Sequence, residues 1–207
     1  RFSPYLPVSH PDIKEFLEIG TEGNPIQGLT HGVTVDNKWM EEMIEGDTEK
    51  RSIWAKVLQR RGEMGYPYIF FNDNANNGAA DVYKDKKHPI YASNLCTEIM
   101  LPSNDEWSFV CVLSSINVLH YDKWKDTDAV ETMIYFLDAV ISEFLEKLEA
   151  YRDSDNREDR QTFLFMERAY NFAKENRALG MGVLGWHSLL QSKMHAFNSK
   201  EAFDLNS

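Results

Sequence analysis

The chain reads as a mixed α/β protein. Short β-branched and aromatic runs at residues 29–35, 68–71 and 107–118 alternate with segments whose apolar residues recur at threes and fours. No internal repeat, low-complexity tract or linker divides the 207 residues, so a single α/β segment, 1–207, is expected.

Residues 1–8 carry two prolines and are predicted to be extended, because each proline pushes its predecessor out of the helical region. Ser9-His10-Pro11-Asp12 opens a short helix through Ile13, Phe16, Leu17 and Ile19 that Gly20 ends, with His10 as a local hydrogen-bonding residue. Gly23-Asn24-Pro25 is a turn, and 29–35 a strand. Asp36 is placed to cap a helix over 37–44 whose apolar face is Trp39, Met40 and Met43. A further helix covers 48–61 through Ile53, Trp54, Val57 and Leu58, and Gly65-Tyr66-Pro67 stops it before the strand 68–71.

Residues 72–87 are rich in Asn, Gly, Asp and Lys without an apolar period and are expected to form a loop. They lead into Ser93-Asn94-Leu95-Cys96-Thr97-Glu98-Ile99. In an extended backbone, Asn94, Cys96 and Glu98 share one face while Leu95 and Ile99 anchor the other. An amide, a thiol and a carboxylate converging on one volume form a candidate reaction site. An isolated cysteine is more often an ordinary, inert buried residue. Pro102-Ser103-Asn104-Asp105 is a turn, and 107–118 is a strand with Cys111 inside it.

The 127–152 helix has the strongest apolar period, through Val130, Met133, Ile134, Leu137, Val140, Ile141, Phe144, Leu145 and Leu148. A charged connector (153–160), a second helix (162–176), a glycine-punctuated stretch (177–185) and a last helix (186–197) complete the chain.

Hydrophobic content of 43% and aromatic content of 13% suit a globular protein with a sizeable core. The net charge of −11 argues against direct nucleic-acid binding, which relies on clustered Lys and Arg. No apolar run reaches bilayer length and no signal pattern opens the chain, so no membrane contact is expected. Two cysteines in this length suggest a reducing, cytoplasmic compartment. Because Arg1 runs straight into core-like sequence, an internal segment of a longer protein is expected. The spacing of His88, Cys96, Cys111 and His120 matches no zinc pattern, and no metal site is expected.

Asn94-Leu95-Cys96-Thr97-Glu98-Ile99, followed by Cys111-Val112-Leu113-Ser114-Ser115-Ile116-Asn117, resembles the active-site loop and next barrel strand of the ribonucleotide reductase large subunit. Tyr5-Leu6-Pro7, His10-Pro11-Asp12-Ile13 with Phe16-Leu17, Gly65-Tyr66-Pro67-Tyr68-Ile69-Phe70 and Arg177-Ala178-Leu179-Gly180-Met181-Gly182-Val183-Leu184-Gly185 match in the same order. The resemblance covers nearly the whole chain. It implies part of a ten-stranded α/β barrel with a central finger loop, shared with glycyl-radical enzymes, the finger region falling at 88–105.

It also implies roles. Cys96 carries a thiyl radical, Glu98 is the general base for the substrate 3′-hydroxyl, and Asn94 holds the ribose hydroxyls. Cys111 is one of a reducing cysteine pair whose partner lies upstream of Arg1, so no Cys96–Cys111 disulfide is expected. The substrate is a ribonucleoside diphosphate, and no cofactor binds this segment directly. The radical comes from a metal-bearing small subunit, ATP and dNTP effectors act on the full subunit, and a thioredoxin- or glutaredoxin-type protein returns electrons. The full subunit is a homodimer. Effector loops lie upstream, with Arg1 at the tail of one, and the segment alone is inactive without the remaining segments. An adenosylcobalamin-dependent reductase shares this active-site logic. Two rivals from other classes are a cysteine hydrolase pairing Cys96 with His88 or His120 and a non-catalytic helical interaction module built on 127–152.

Overall fold

The computed structural model describes residues 3–207. Arg1, assigned above to the tail of an effector loop, lies outside the described residues. The chain divides into two compact units, the first ending at Asn104 and the second running from Asp105 to Ser207. The division falls within the Pro102-Ser103-Asn104-Asp105 stretch that was expected to turn, with no linker composition to announce it.

The first unit is built on three parallel strands, β1 (Tyr5–Pro7), β2 (Gly32–Val35) and β3 (Tyr68–Phe71), in the order β1-β2-β3. Helices α1 (Ile13–Phe16), α2 (Asn37–Glu45) and α3 (Thr48–Met64) lie in the connections, as parallel strands require. Tyr5 stands opposite Gly32 and Gly32 opposite Tyr68, so this row shares one face of the sheet. Leu6, Val33, Val35 and Ile69 point to the other face, where they pack with Ile13, Leu17, Trp39, Ile53 and Val57 into the core.

Asp36 caps α2 as expected, its carboxylate accepting from the Trp39 N–H at 2.7 Å. Asp47 caps α3 in the same way through the Lys50 N–H at 3.0 Å. Gly65 closes α3 in the left-handed conformation at φ 79°, its N–H donating to the Arg61 carbonyl. The first helix is shorter than its pattern suggested, ending at Phe16 and continuing as turns to Gly20. His10 is local as read, its Nδ1 accepting from the Asp12 N–H at 3.1 Å.

The polar stretch 72–87 is not a plain loop. It contains α4 (Asn72–Asn77) and α5 (Asp81–Asp85). Side-chain amides do the ordering: Asn76 Nδ2 donates to the Asn72 and Ile90 carbonyls, and the Ile90 N–H donates back to Asn76 Oδ1. Tertiary pairing of this kind overrides a weak local propensity.

In the second unit, β4 (Leu113–Asn117) pairs in parallel with β5 (Gly180–Leu184), Leu113 opposite Gly180 and Asn117 opposite Leu184. Between them run α6 (Tyr121–Trp124), α7 (Ala129–Arg152) and α8 (Arg157–Asn176). The long strand expected over 107–118 is restricted to its last five residues before Val118. Trp107 is instead drawn into an edge-on contact with Phe172 of α8 at 6.2 Å, and the Ser108 N–H donates to the Arg168 carbonyl. The glycine-rich 180–184 is a strand, which its composition concealed. Helix α9 (Trp186–Ser192) is shorter than the expected 186–197, and α10 (Lys200–Asn206) follows beyond that range, where no helix was expected.

The α7 stripe is only partly covered. Leu137, Ile141 and Leu148 are buried, while Val130 and Val140 remain exposed. Leu148 packs with Phe163 and Tyr170 of α8.

Candidate active site

Residues 93–99 form a closed turn rather than an extended segment, which corrects the alternating-face reading. Ser93 is buried, and its hydroxyl donates to the Ile99 carbonyl at 2.8 Å, drawing the two ends of the stretch together. Asn94 Oδ1 accepts from the Glu98 and Ile99 N–H groups, each at 3.1 Å, and lies 3.2 Å from Ser93 Oγ. The Thr97 N–H donates to the Asn94 carbonyl at 3.2 Å. Asn94 therefore nucleates an Asx-type turn. Leu95 and Cys96 occupy its tip, and Thr97 takes the left-handed conformation at φ 64°.

Three expectations change with that geometry. Leu95 is 40% exposed and anchors nothing. The Asn94 carbonyl oxygen is committed to the turn, so the amide donors at Nδ2 are its groups for a ligand. The Cys96 thiol and the Glu98 side chain are exposed and do not sit in an enclosed cavity. Cys111 lies two residues before β4, not inside it, and is also exposed. Both cysteines are thiols.

The loop rests on the sheet face opposite the helical core. The Tyr5 hydroxyl donates to the Asn94 carbonyl at 3.4 Å and lies 3.1 Å from Thr97 Oγ1, from which it accepts. Its ring passes over Gly32, where a Cβ would strike the Cε1 and Cδ1 atoms. Tyr68, on the far side of Gly32, is held above the ordinary tyrosine value first by a hydrogen bond with the Tyr66 hydroxyl and then by desolvation. Smaller contributions from Tyr66, Tyr5 and Cys96 put all three within electrostatic reach. The Tyr66 and Tyr68 rings meet edge-on at 5.1 Å.

Sequence reasoning missed Tyr5 and Gly32 as neighbours of the loop, and Thr97 as the loop residue that Tyr5 holds. The available signal was a lone glycine in an otherwise β-branched strand, which marks a close approach.

Below Tyr66, His31 is buried, stacked on that ring at 5.7 Å and edge-on to Phe16 at 5.3 Å. Its Nδ1 donates to the Leu29 carbonyl at 3.2 Å, while Nε2 has no protein partner among the described residues. Desolvation holds its pKa below the ordinary histidine value, outweighing the Leu29 bond. Among the described residues no three His, Cys, Asp or Glu side chains converge on a metal-sized site, and no helix is long and apolar enough to cross a membrane.

Residues 44–207 match the family model described as the ribonucleotide reductase barrel domain. The Actinobacillus ureae class Id ribonucleotide reductase alpha subunit superposes with a TM-score of 0.88 at 53% identity, covering 99% of this chain and 37% of that one. A protein of Frog virus 3 (isolate Goorha) is 32% identical over 99% of this chain, which spans 38% of it. The ribonucleoside-diphosphate reductase large subunit of Invertebrate iridescent virus 3 is 30% identical over 86% of this chain and 27% of its own length. The chain thus spans well under half of each of these proteins.

Proposed function

The chain belongs to the ribonucleotide reductase barrel-domain family, and from that premise we propose that it forms part of the catalytic barrel of a ribonucleoside-diphosphate reductase large subunit. The strongest support is the 53% identity to a class Id alpha subunit across 99% of the chain, which includes the turn bearing Asn94, Cys96 and Glu98. The adenosylcobalamin-dependent reading is not favoured, since the relatives are diphosphate reductase large or alpha subunits.

In this reading the parallel strands are part of a ten-stranded barrel, and closure of that barrel walls in the loop tip. A metal-bearing small subunit supplies the one-electron oxidation of the Cys96 thiol. The Cys96 sulfur then takes a hydrogen atom from a ribose carbon, a step that suits sulfur because no prior deprotonation is needed. Glu98 accepts the 3′-hydroxyl proton as general base. Asn94, its oxygen engaged in the turn, holds a ribose hydroxyl through its amide donors. Water leaves C2′. Cys111 and an upstream cysteine give two electrons and two protons and end as a disulfide, and the Cys96 thiol returns its hydrogen atom to the sugar. The sum is ribonucleotide plus dithiol giving deoxyribonucleotide, disulfide and water. A thioredoxin- or glutaredoxin-type protein reduces that disulfide, and ATP or dNTP effectors act elsewhere on the full, homodimeric subunit.

The test uses the full-length large subunit with its small subunit and labelled ribonucleoside diphosphate. Cys96→Ser is expected to abolish product, Glu98→Gln to slow turnover on the order of a hundredfold, and Cys111→Ser to prevent multiple turnover. Wild-type rates in Cys96→Ser would refute the reading, leaving the helical interaction module as the account.

A further inference from the structure

Within this segment Leu95 and Cys96 are exposed at the loop tip, so the core of the first unit does not itself hold the thiol in place. Thr97, immediately after it, is a β-branched residue at φ 64°, a strained conformation that must be offset by neighbouring contacts. The contacts that bracket the tip come from one side chain. Tyr5 reaches across 89 and 92 residues of sequence to the Asn94 carbonyl on one side of Cys96 and to Thr97 Oγ1 on the other.

The reach depends on an absence. Gly32 faces Tyr5 directly in the sheet, flanked on its own strand by Val33, Thr34 and Val35. A glycine there weakens a strand, but it leaves the gap through which the Tyr5 ring crosses toward the loop. Phe70, edge-on to the ring at 6.2 Å, supports it from β3, across β2.

We propose that Tyr5 is a positioning residue: laid across Gly32, its phenol clamps both sides of the tip and fixes where the Cys96 thiol and the Glu98 carboxylate stand relative to the substrate ribose. Tyr5 does not itself react. The inference rests on the reductase reading above, and one of its two readouts does not need that reading to hold.

The experiment compares wild type with Tyr5→Phe, which keeps the ring and removes the hydroxyl, in the full-length subunit with its small subunit. The first readout is the alkylation rate of Cys96, followed by mass spectrometry. The second is steady-state reduction together with the deuterium isotope effect at the abstracted ribose hydrogen.

A neutral hydrogen bond contributes about as much as a fivefold change in an equilibrium. Tyr5→Phe is therefore expected to alkylate roughly fivefold faster and to lower kcat by about the same factor. KM should stay nearly constant, and the isotope effect should rise as hydrogen abstraction becomes slower. Thr97→Val should reproduce these changes, Thr97→Ser should restore the wild-type pattern by returning the hydroxyl, and the double variant Tyr5→Phe/Thr97→Val should be no worse than either alone.

Wild-type alkylation and kcat in Tyr5→Phe would overturn the clamp, as would losses in the double variant that simply add. A change confined to thermal stability, with isotope effect and alkylation unmoved, also overturns it. If the wild-type subunit reduces no ribonucleotide, the reductase reading fails and the alkylation rates alone decide the clamp.

Discussion

His31 and Asn94 show how a single side chain is constrained by where the fold puts it. The buried imidazole of His31 donates from Nδ1 to the Leu29 carbonyl and stacks on Tyr66, so protonating it costs solvation that nothing nearby returns. Its NMR titration midpoint is expected below the ordinary value of 6.5. Above that pH both folded and unfolded chains carry a neutral ring, and this contribution to stability is complete. As pH falls below 6.5 the unfolded chain binds the proton first, so stability declines until the folded-state midpoint is passed. His31→Phe should remove that acid-side slope from thermal melts. Asn94 separates into two halves. Its oxygen holds the turn, and its amide nitrogen is left for a ligand. Asn94→Asp keeps an acceptor for the Glu98 and Ile99 N–H groups but removes the donors. Cys96 alkylation should therefore stay near wild type while reduction falls by tenfold or more, on the order of a charged-site hydrogen bond. Faster alkylation would mean that the turn itself had been lost.

Among the elements, α7 was plain in the sequence because nine apolar positions repeat at helical spacing, and the observed helix begins within two residues of the expected start. β5 was hidden because Gly180 and Gly182 dilute the β-branched signal, and only pairing with β4 makes a strand of it. Residues 93–99 misled in the opposite sense. Their alternation suited a strand, but Asn94 bonding its own backbone competes with extended structure. The end of α8 carries a contact that sequence reasoning left as punctuation. Arg177, left-handed at φ 42°, grips Asp138 of α7 through Nε at 2.9 Å and Nη2 at 2.6 Å, and also reaches Ser142 at 2.9 Å. Both side chains are partly exposed, so Arg177→Ala should cost about 1 kcal/mol, measured by chemical denaturation. Arg177→Lys should recover little of it, since an ammonium lacks the two-pronged geometry.

At the scale of the whole molecule, each unit carries a small parallel sheet, three strands in one and two in the other. Parallel sheets are stable when both faces and edges are covered, and in the proposed barrel the remaining strands supply that cover. The isolated chain is accordingly expected to give no detectable ribonucleotide reduction under conditions where the full-length subunit is active. Activity from the chain alone would mean that barrel closure is not what completes the site.

Local chemistry in the sequence determined the α/β class, the caps at Asp36 and Gly65, the stripe of α7 and the clustering of an amide, a thiol and a carboxylate within five residues. Those features act over one or two turns of chain and need no partner from afar. The gap at Gly32, the reach of Tyr5 to Thr97 and the strand character of 180–184 were decided only by the tertiary structure. Each depends on residues tens of positions apart meeting in one register, and no local propensity encodes that meeting.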